Sequence, residues 1–262
     1  MTELRHLQMV ILSIMKDIDD LCQRNGIEYY LLGGSAIGAV RHKGFIPWDD
    51  DLDIIMTAAN YDKFISVCRR ELDKSKYYLQ VGLEDWPLYF TKVKLKGTLF
   101  REIENKNFDC DGIFLDVFRL DNAPSNVVSR FFQYIAAKVF TCYQLGERTY
   151  QSAGWNKKLM MIMSFPLKCK SLRTKIKRYI EHYNKEESRY LAFFYGRTNF
   201  KTCFVEKRIY GRPLMVPFED MMLPVPEHYD EYLTQMFGDY MTPPPADKQV
   251  GMHLIDVDFG KY

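Results

Sequence analysis

The 262-residue chain is short of several things. Its six cysteines, at 22, 68, 110, 142, 169 and 203, include no C-x-x-C pair, which argues against a zinc or dithiol-redox site and for buried, reduced thiols. No apolar run reaches the roughly 18 residues a membrane span requires. The nearest stretches, residues 131–140 and 159–167, are short and interrupted by Lys138 and Pro166. The first residues lack the basic, then apolar, then small-residue order of a secretory leader, so the expected compartment is a reducing cytoplasm. Internal repeats and low-complexity tracts are absent. The net charge of +2 gives no global field, and without a nucleic-acid-binding motif no nucleic acid is expected as partner.

What is present begins with composition. A hydrophobic content of 47% and a charged content of 27% describe a soluble chain long enough to bury a sizeable core. Charge is uneven locally: residues 155–189 hold ten Lys or Arg against three acids. Such a basic, partly apolar stretch reads as a solvated face, an anionic-glycan site or a peripheral membrane contact.

The densest chemistry lies in PWDDDLDII, residues 47–55. In an extended chain side chains alternate, so Asp49, Asp51 and Asp53 point one way while Leu52 and Ile54 point the other. Asp49 and Asp50 read as a solvated turn after Pro47. Asp51 and Asp53 sit among strand-forming residues, where Asp is depleted, and read as ligands of a divalent cation that relieves their mutual repulsion. Upstream, Gly33, Gly34 and Ser35 end an apolar run and open a helix, the equipment for gripping a phosphate. Downstream, Asp116 is the lone charge in GIFLDVF. A buried carboxylate needs a partner, either a shared metal or a cation such as Arg119 or Lys92, and the sequence leaves these two readings open.

Periodicity places a helix from Leu4 to about Gly26, a buried strand over 27–32, a short helix over 35–42, the acidic strand, and a helix over 58–72. Strands follow at 77–81, 89–95, 98–102 and 113–118. Residues 124–195 are helical in pattern, and the Pro-rich C-terminal part carries a helix over 229–237 ended by Gly238. The expected division is a catalytic core over 1–123, a helical basic insertion over 124–199 and a C-terminal segment over 200–262 packing back on the core.

The run LLGGSAIGAVRHKGFIPWDDDLDI (31–54), together with GIFLDVFRLD (112–121) and PFEDMMLPVPEHYDEYLTQMFGDYMTPPP (217–245), resembles the LicD family, which includes phosphocholine transferases and the fukutin-related proteins, within the nucleotidyltransferase superfamily. The resemblance implies an α/β (α+β) fold with a mixed sheet flanked by helices. It implies Asp51, Asp53 and Asp116 on neighbouring strands as catalytic groups holding Mg2+ or Mn2+. It further implies a CDP-linked donor, CDP-choline or a related CDP-alcohol, and a glycan or lipid-linked glycan acceptor, with release of CMP. Asp116 doubles as a base for the acceptor's proton. Gly33, Gly34 and Ser35 would hold the donor's diphosphate, with Arg41, His42 and Lys92 as neutralising groups and Trp48 stacking on cytosine or capping the core. Superfamily members usually keep the Gly-Ser turn closer to the acidic pair; the interval here fits the LicD branch, and Arg119 stands where that family often has Pro. An isolated His253 reads as structural or as reaching back to the site. Phosphoethanolamine, glycerol phosphate and ribitol phosphate stay open beside phosphocholine. The rival readings are a nucleotidyltransferase moving a nucleoside monophosphate from a triphosphate, and a non-catalytic nucleotide-binding relative.

Overall fold

The computed structural model describes residues 2–86, 88–102, 112–147, 155, 159, 162, 165–195, 198–251 and 254–262; His253, Cys110 and the Lys157–Lys158 part of the basic segment lie outside these. Helix α1 (Glu3–Arg24) opens on Thr2, whose side chain accepts from the N–H of Arg5, and stops just before Gly26, which takes a left-handed φ of 56°. Its stripe of Leu7, Ile11, Ile14, Ile18 and Leu21 is buried, as the three- and four-residue spacing predicts.

Strand β1 (Tyr30–Leu31) leads into α2 (Gly33–Ile37), which continues as a π-helical turn over Gly38–His42. Next come β2 (Asp53–Thr57), α3 (Ala58–Glu71), β3 (Tyr77–Gln80), β4 (Thr91–Leu95), β5 (Leu99–Glu102) and β6 (Phe114–Ala123). Then follow α4 (Val127–Glu147), α5 (Lys170–Glu181), β7 (Tyr190–Ala192), β8 (Phe204–Glu206), the single turn α6 (Lys207–Tyr210), the hairpin β9 (Leu214–Phe218) and β10 (Met221–Val225), α7 (Tyr229–Phe237) and β11 (Leu254–Asp258).

The central sheet runs β1-β2-β6-β4-β3, with β6 extending past its neighbours to pair with β7, which in turn pairs with β8. Among the described strands of this sheet only the β2–β6 pairing is parallel; the mixed sheet flanked by helices is the α/β architecture expected. That one parallel pair needs a crossover, supplied by α3 and the β3–β4 excursion. Two apolar clusters form. The larger joins α1, α3 and the sheet with β9, β10 and α7; the smaller gathers Ala137, Phe140, Ile180, Ala192, Phe194 and Phe204 where α4 and α5 meet the end of β6.

Several boundaries differ from expectation. The strand over 27–32 shortens to two residues, and the one over 113–118 lengthens to ten, because Arg119, Asp121 and Asn122 continue the ladder although their polarity breaks the apolar pattern. Residues 190–192 are strand inside a stretch read as helical. Among the described residues no cysteine is disulfide-bonded; Cys22, Cys68 and Cys203 are buried, but Cys169 is exposed, contrary to expectation.

The π turn over 38–42 brings Gly38 against the carbonyl of Gly44, where an added Cβ would lie 2.5 Å from the oxygen. Both partners are backbone, so neither yields easily. Gly38→Ala is therefore expected to cost about 1–3 kcal/mol of stability, read as a lowered urea midpoint at unchanged slope.

Candidate active site

The site starts from register. Asp53, at the head of β2, pairs across the parallel ladder with Asp116, and Asp116 pairs on its other side with Lys92 of β4. Paired residues share a sheet face, so two carboxylates and one ammonium stand in a row across three strands. Lys92 is 1% exposed; its Nζ lies 3.1 Å from Asp116 Oδ1, donates to Oδ2 at 3.3 Å, and rests over the ring of Phe114. The lysine form of the salt-bridge reading thus holds. Arg119 turns instead to Asp121, Asp62 and Glu181.

Asp51 precedes β2 rather than lying within it, and the segment before it is not a solvated turn. Asp50 is 2% exposed, and its carboxylate approaches Gly251, where a Cβ would come within 3.0 Å of Oδ2. Asp49 is half-buried, its carboxylate so close to Gly34 that a Cβ there would meet Oδ2 at 2.9 Å. Carboxylate oxygens of Asp49, Asp50 and Asp51 all lie within 4.8 Å of one another. Local sequence could not separate this from a turn, because the segments that bury Asp50 and Asp49 come from residues 251 and 34.

Two long-range props hold the acidic segment, and both were missed. Gln8 of α1 donates to the carbonyls of Ile46 and Asp49, at 3.2 and 3.0 Å. Its position beside Leu7 on the buried stripe was the available signal, since a buried amide must find partners. Glu219, at the β9–β10 turn, accepts two hydrogen bonds from Arg5 and one from the N–H of Phe45. The Gly-Gly-Ser turn is tied to the strand directly: Ser35 Oγ accepts the N–H of Asp53 at 2.8 Å, and Gly33 adopts φ 55°.

Crowding shifts the titration of these groups. Burial first, then Asp51, Asp116 and Asp49, hold the Asp53 carboxyl well above the usual range, against the pull of Lys92. Burial, Asp51 and Asp50 push Asp49 up to about 8. The Oδ1 atom of Asp53 is buried without a hydrogen-bond partner. A hard divalent cation wants such oxygens, so this donor set fits Mg2+ or Mn2+.

The remaining candidates differ in how free their charge is. Arg41 donates to Tyr240 O at 2.6 Å and to His42 Nε2 at 2.9 Å, and among the described residues no carboxylate pairs with it. Burial and Arg41 hold His42 below its usual value, so it is neutral at pH 7. Lys92 is engaged by Asp116. Of the three, Arg41 alone offers a charge that no acid already answers. Trp48 is half-buried at the edge of the core, with its ring 6.3 Å from that of His42. A groove of about 360 Å³, lined by Asp62, Arg69, Tyr89, Arg119, Lys177 and Glu181, lies elsewhere: Arg119 alternates to the face of β6 opposite Asp116.

Residues 26–140 match the family described as LicD/FKTN/FKRP, nucleotidyltransferase domain. The chain is similar to the lipopolysaccharide cholinephosphotransferase LicD of Haemophilus influenzae, 29% identical with 96% of each chain covered. It is also similar, at 52% identity over 42 residues, to an uncharacterized protein of Rickettsia prowazekii, with 16% of each chain covered. An uncharacterized protein of Rickettsia typhi matches at the same identity and length, covering 16% of this chain and 14% of the relative.

Because Asp49 and Asp53 bind protons more tightly folded than unfolded, the sign of the pH effect follows. From about pH 4, where unfolded carboxylates ionise, up through about 8 for Asp49, the metal-free fold loses stability as pH rises. Thermal unfolding in chelator should show Tm falling across this window. Asp49→Asn should flatten the fall; an unchanged slope in that variant would refute the crowding.

Proposed function

We propose that this chain, which belongs to the LicD family, moves phosphocholine from a CDP-linked donor to a hydroxyl of a lipopolysaccharide-type, lipid-linked glycan and releases CMP. The observation that carries this reading is the buried, unpartnered Asp53 Oδ1 standing in register with Asp116 beside the Asp49–Asp51 cluster. The phosphocholine group and the lipopolysaccharide acceptor are supported by the likeness to the Haemophilus cholinephosphotransferase; the CDP carrier rests on the family resemblance alone, and the clustered carboxylates are what support a metal.

Asp51, Asp53 and Asp116, joined by Asp49, would hold one or two Mg2+ or Mn2+ ions. When bound, the metal supplies neutralisation of the diphosphate and orientation for in-line attack at phosphorus. The protein's own groups do the rest. The turn over Gly33, Gly34 and Ser35 borders Asp49 and places backbone beside the acidic cluster, where the donor's diphosphate would sit. Arg41, held from behind by the Tyr240 carbonyl, faces no competing acid and can meet a phosphate oxygen. Lys92, paired with Asp116, holds that carboxylate where it would take the acceptor hydroxyl's proton; the ammonium is thus engaged by this group rather than by the substrate. Trp48, at the rim, is the group offered to the donor's base.

The test is direct. Purified protein with CDP-choline, Mn2+ and a lipopolysaccharide acceptor should release CMP and label the glycan. Asp53→Ala should lower the rate on the order of 10²–10³-fold, the usual cost of removing one electrostatic stabiliser. A mutant equal to wild type, or pyrophosphate release from a nucleoside triphosphate in place of CMP, would overturn the assignment.

A further inference from the structure

The outward side of α4 presents an apolar strip among its described side chains. Val127, Val128, Phe131, Phe132 and Ile135 are each 42–58% exposed and recur at intervals of one and four, which places them on one helical face. The opposite face, with Gln133, Ala137, Phe140 and Gln144, is buried against the small core. The two cations of the helix do not break the exposed strip. Arg130 turns back to the carbonyls of Pro124 and Ser125, and Lys138 reaches the carbonyls of Phe194 and Thr198. A helix with so apolar an outer strip, its cations drawn back to backbone carbonyls, is built for an environment other than water on that side.

The neighbouring element indicates which environment. Helix α5 packs antiparallel to α4, with Gln133 donating to Ile180 O at 2.8 Å near one end and Arg173 to the Tyr143 hydroxyl at 2.7 Å near the other. Its exposed side interleaves Leu172 and Tyr179 with Lys175 and Arg178, and Lys168 and Lys170 are exposed at its start. Trp155, Leu159, Ile162 and Phe165 add exposed apolar groups, with Trp155 at 80%. Apolar groups ringed by long cationic side chains match an anionic bilayer surface, where rings enter the acyl boundary and ammonium groups stay at the headgroups. Among the described residues no helix is long and apolar enough to cross a membrane, so contact here lies along the surface.

We infer that the exposed face of α4, flanked by the basic side of α5, docks this protein on an anionic phospholipid bilayer. The inference stands on exposure and charge alone and is independent of the catalytic reading. A docked chain would meet a lipid-linked acceptor in two dimensions rather than three.

The test is sedimentation of the full chain with vesicles of phosphatidylcholine alone and of phosphatidylcholine with phosphatidylglycerol. Binding is expected to the second and not the first, to fall with added salt, and to weaken about tenfold in Phe131→Ser/Phe132→Ser. Lys175→Glu/Arg178→Glu should weaken it as well, whereas Asp53→Ala should bind like wild type, which separates this outcome from loss of catalysis. Both surface variants alter exposed side chains, and circular dichroism checks that they fold. Absence of binding to either vesicle overturns the inference. So does a dimer in lipid-free sedimentation velocity that dissociates in the Phe131→Ser/Phe132→Ser variant, since the strip would then belong to a second copy.

Discussion

Everything in this fold that bears on chemistry answers to one constraint, the repulsion among carboxylates brought together at the head of β2. Asp49, Asp50 and Asp51 crowd together just before Asp53, which stands in register with Asp116, and the buried ammonium of Lys92 pairs with Asp116. Such an arrangement does not assemble by itself, because each added charge raises the cost of ionising the others. It is imposed from outside. Gln8 and Glu219, more than 200 residues apart, fix the 44–49 segment, while the β2–β6 ladder fixes Asp53 against Asp116. The stability of the surrounding core is what allows these like-charged groups to be held together against their repulsion.

Asp121 of β6 and Asp53 of β2 show how a buried carboxylate is made structural or left open. Asp121 is fully buried, yet its Oδ1 accepts from Arg119 Nε at 2.9 Å and from Asn184 at 2.7 Å; burial raises its carboxyl only to about 6 because those partners pull the other way. Asp53 has the same burial problem but is surrounded by Asp51, Asp116 and Asp49, which push its carboxyl further up against the pull of Lys92. The difference lies in what the fold places within reach, not in residue type. Arg119, paired with Asp121, Asp62 and Glu181, belongs to the first network.

Legibility in the sequence tracked how local each cause was. The alternation in DLDII and the single Asp in GIFLDVF were enough to place Asp53 and Asp116 on strands, and the 3.6-residue period was enough for α1, α3 and α7. Asp49 and Asp50 were not legible as members of the cluster. An Asp after Pro47 reads as a turn by every local rule, and only tertiary packing against Gly34 and Gly251 buries it. The length of β6 was hidden for a related reason. Arg119 and Asp121 look like loop residues until the partners that neutralise them, Asp62, Glu181 and Asn184, are seen on other elements. Lys92 was legible as a charge near the site but not as one already engaged by Asp116, and His42 was not legible as a neutral ring accepting from Arg41.

The same logic of satisfied and unsatisfied groups separates the two sides of α4. On its inner side the Gln133 amide nitrogen donates to both Asn122 O and Ile180 O, which locks the helix to the strand and to α5. On its outer side there is nothing polar to satisfy and nothing to shed water for, in water. Exposed Phe131 and Phe132 gain no hydrogen bond and lose hydrophobic free energy for as long as they remain solvated. Aromatic residues alone would be ordinary surface scatter. Five large apolar residues on one face, with both nearby cations withdrawn to carbonyls, are not scatter, and the strand that runs into this helix is the one that carries Asp116. A surface that fixed α4 would therefore also fix, through β6, the orientation in which the acidic site meets its acceptor.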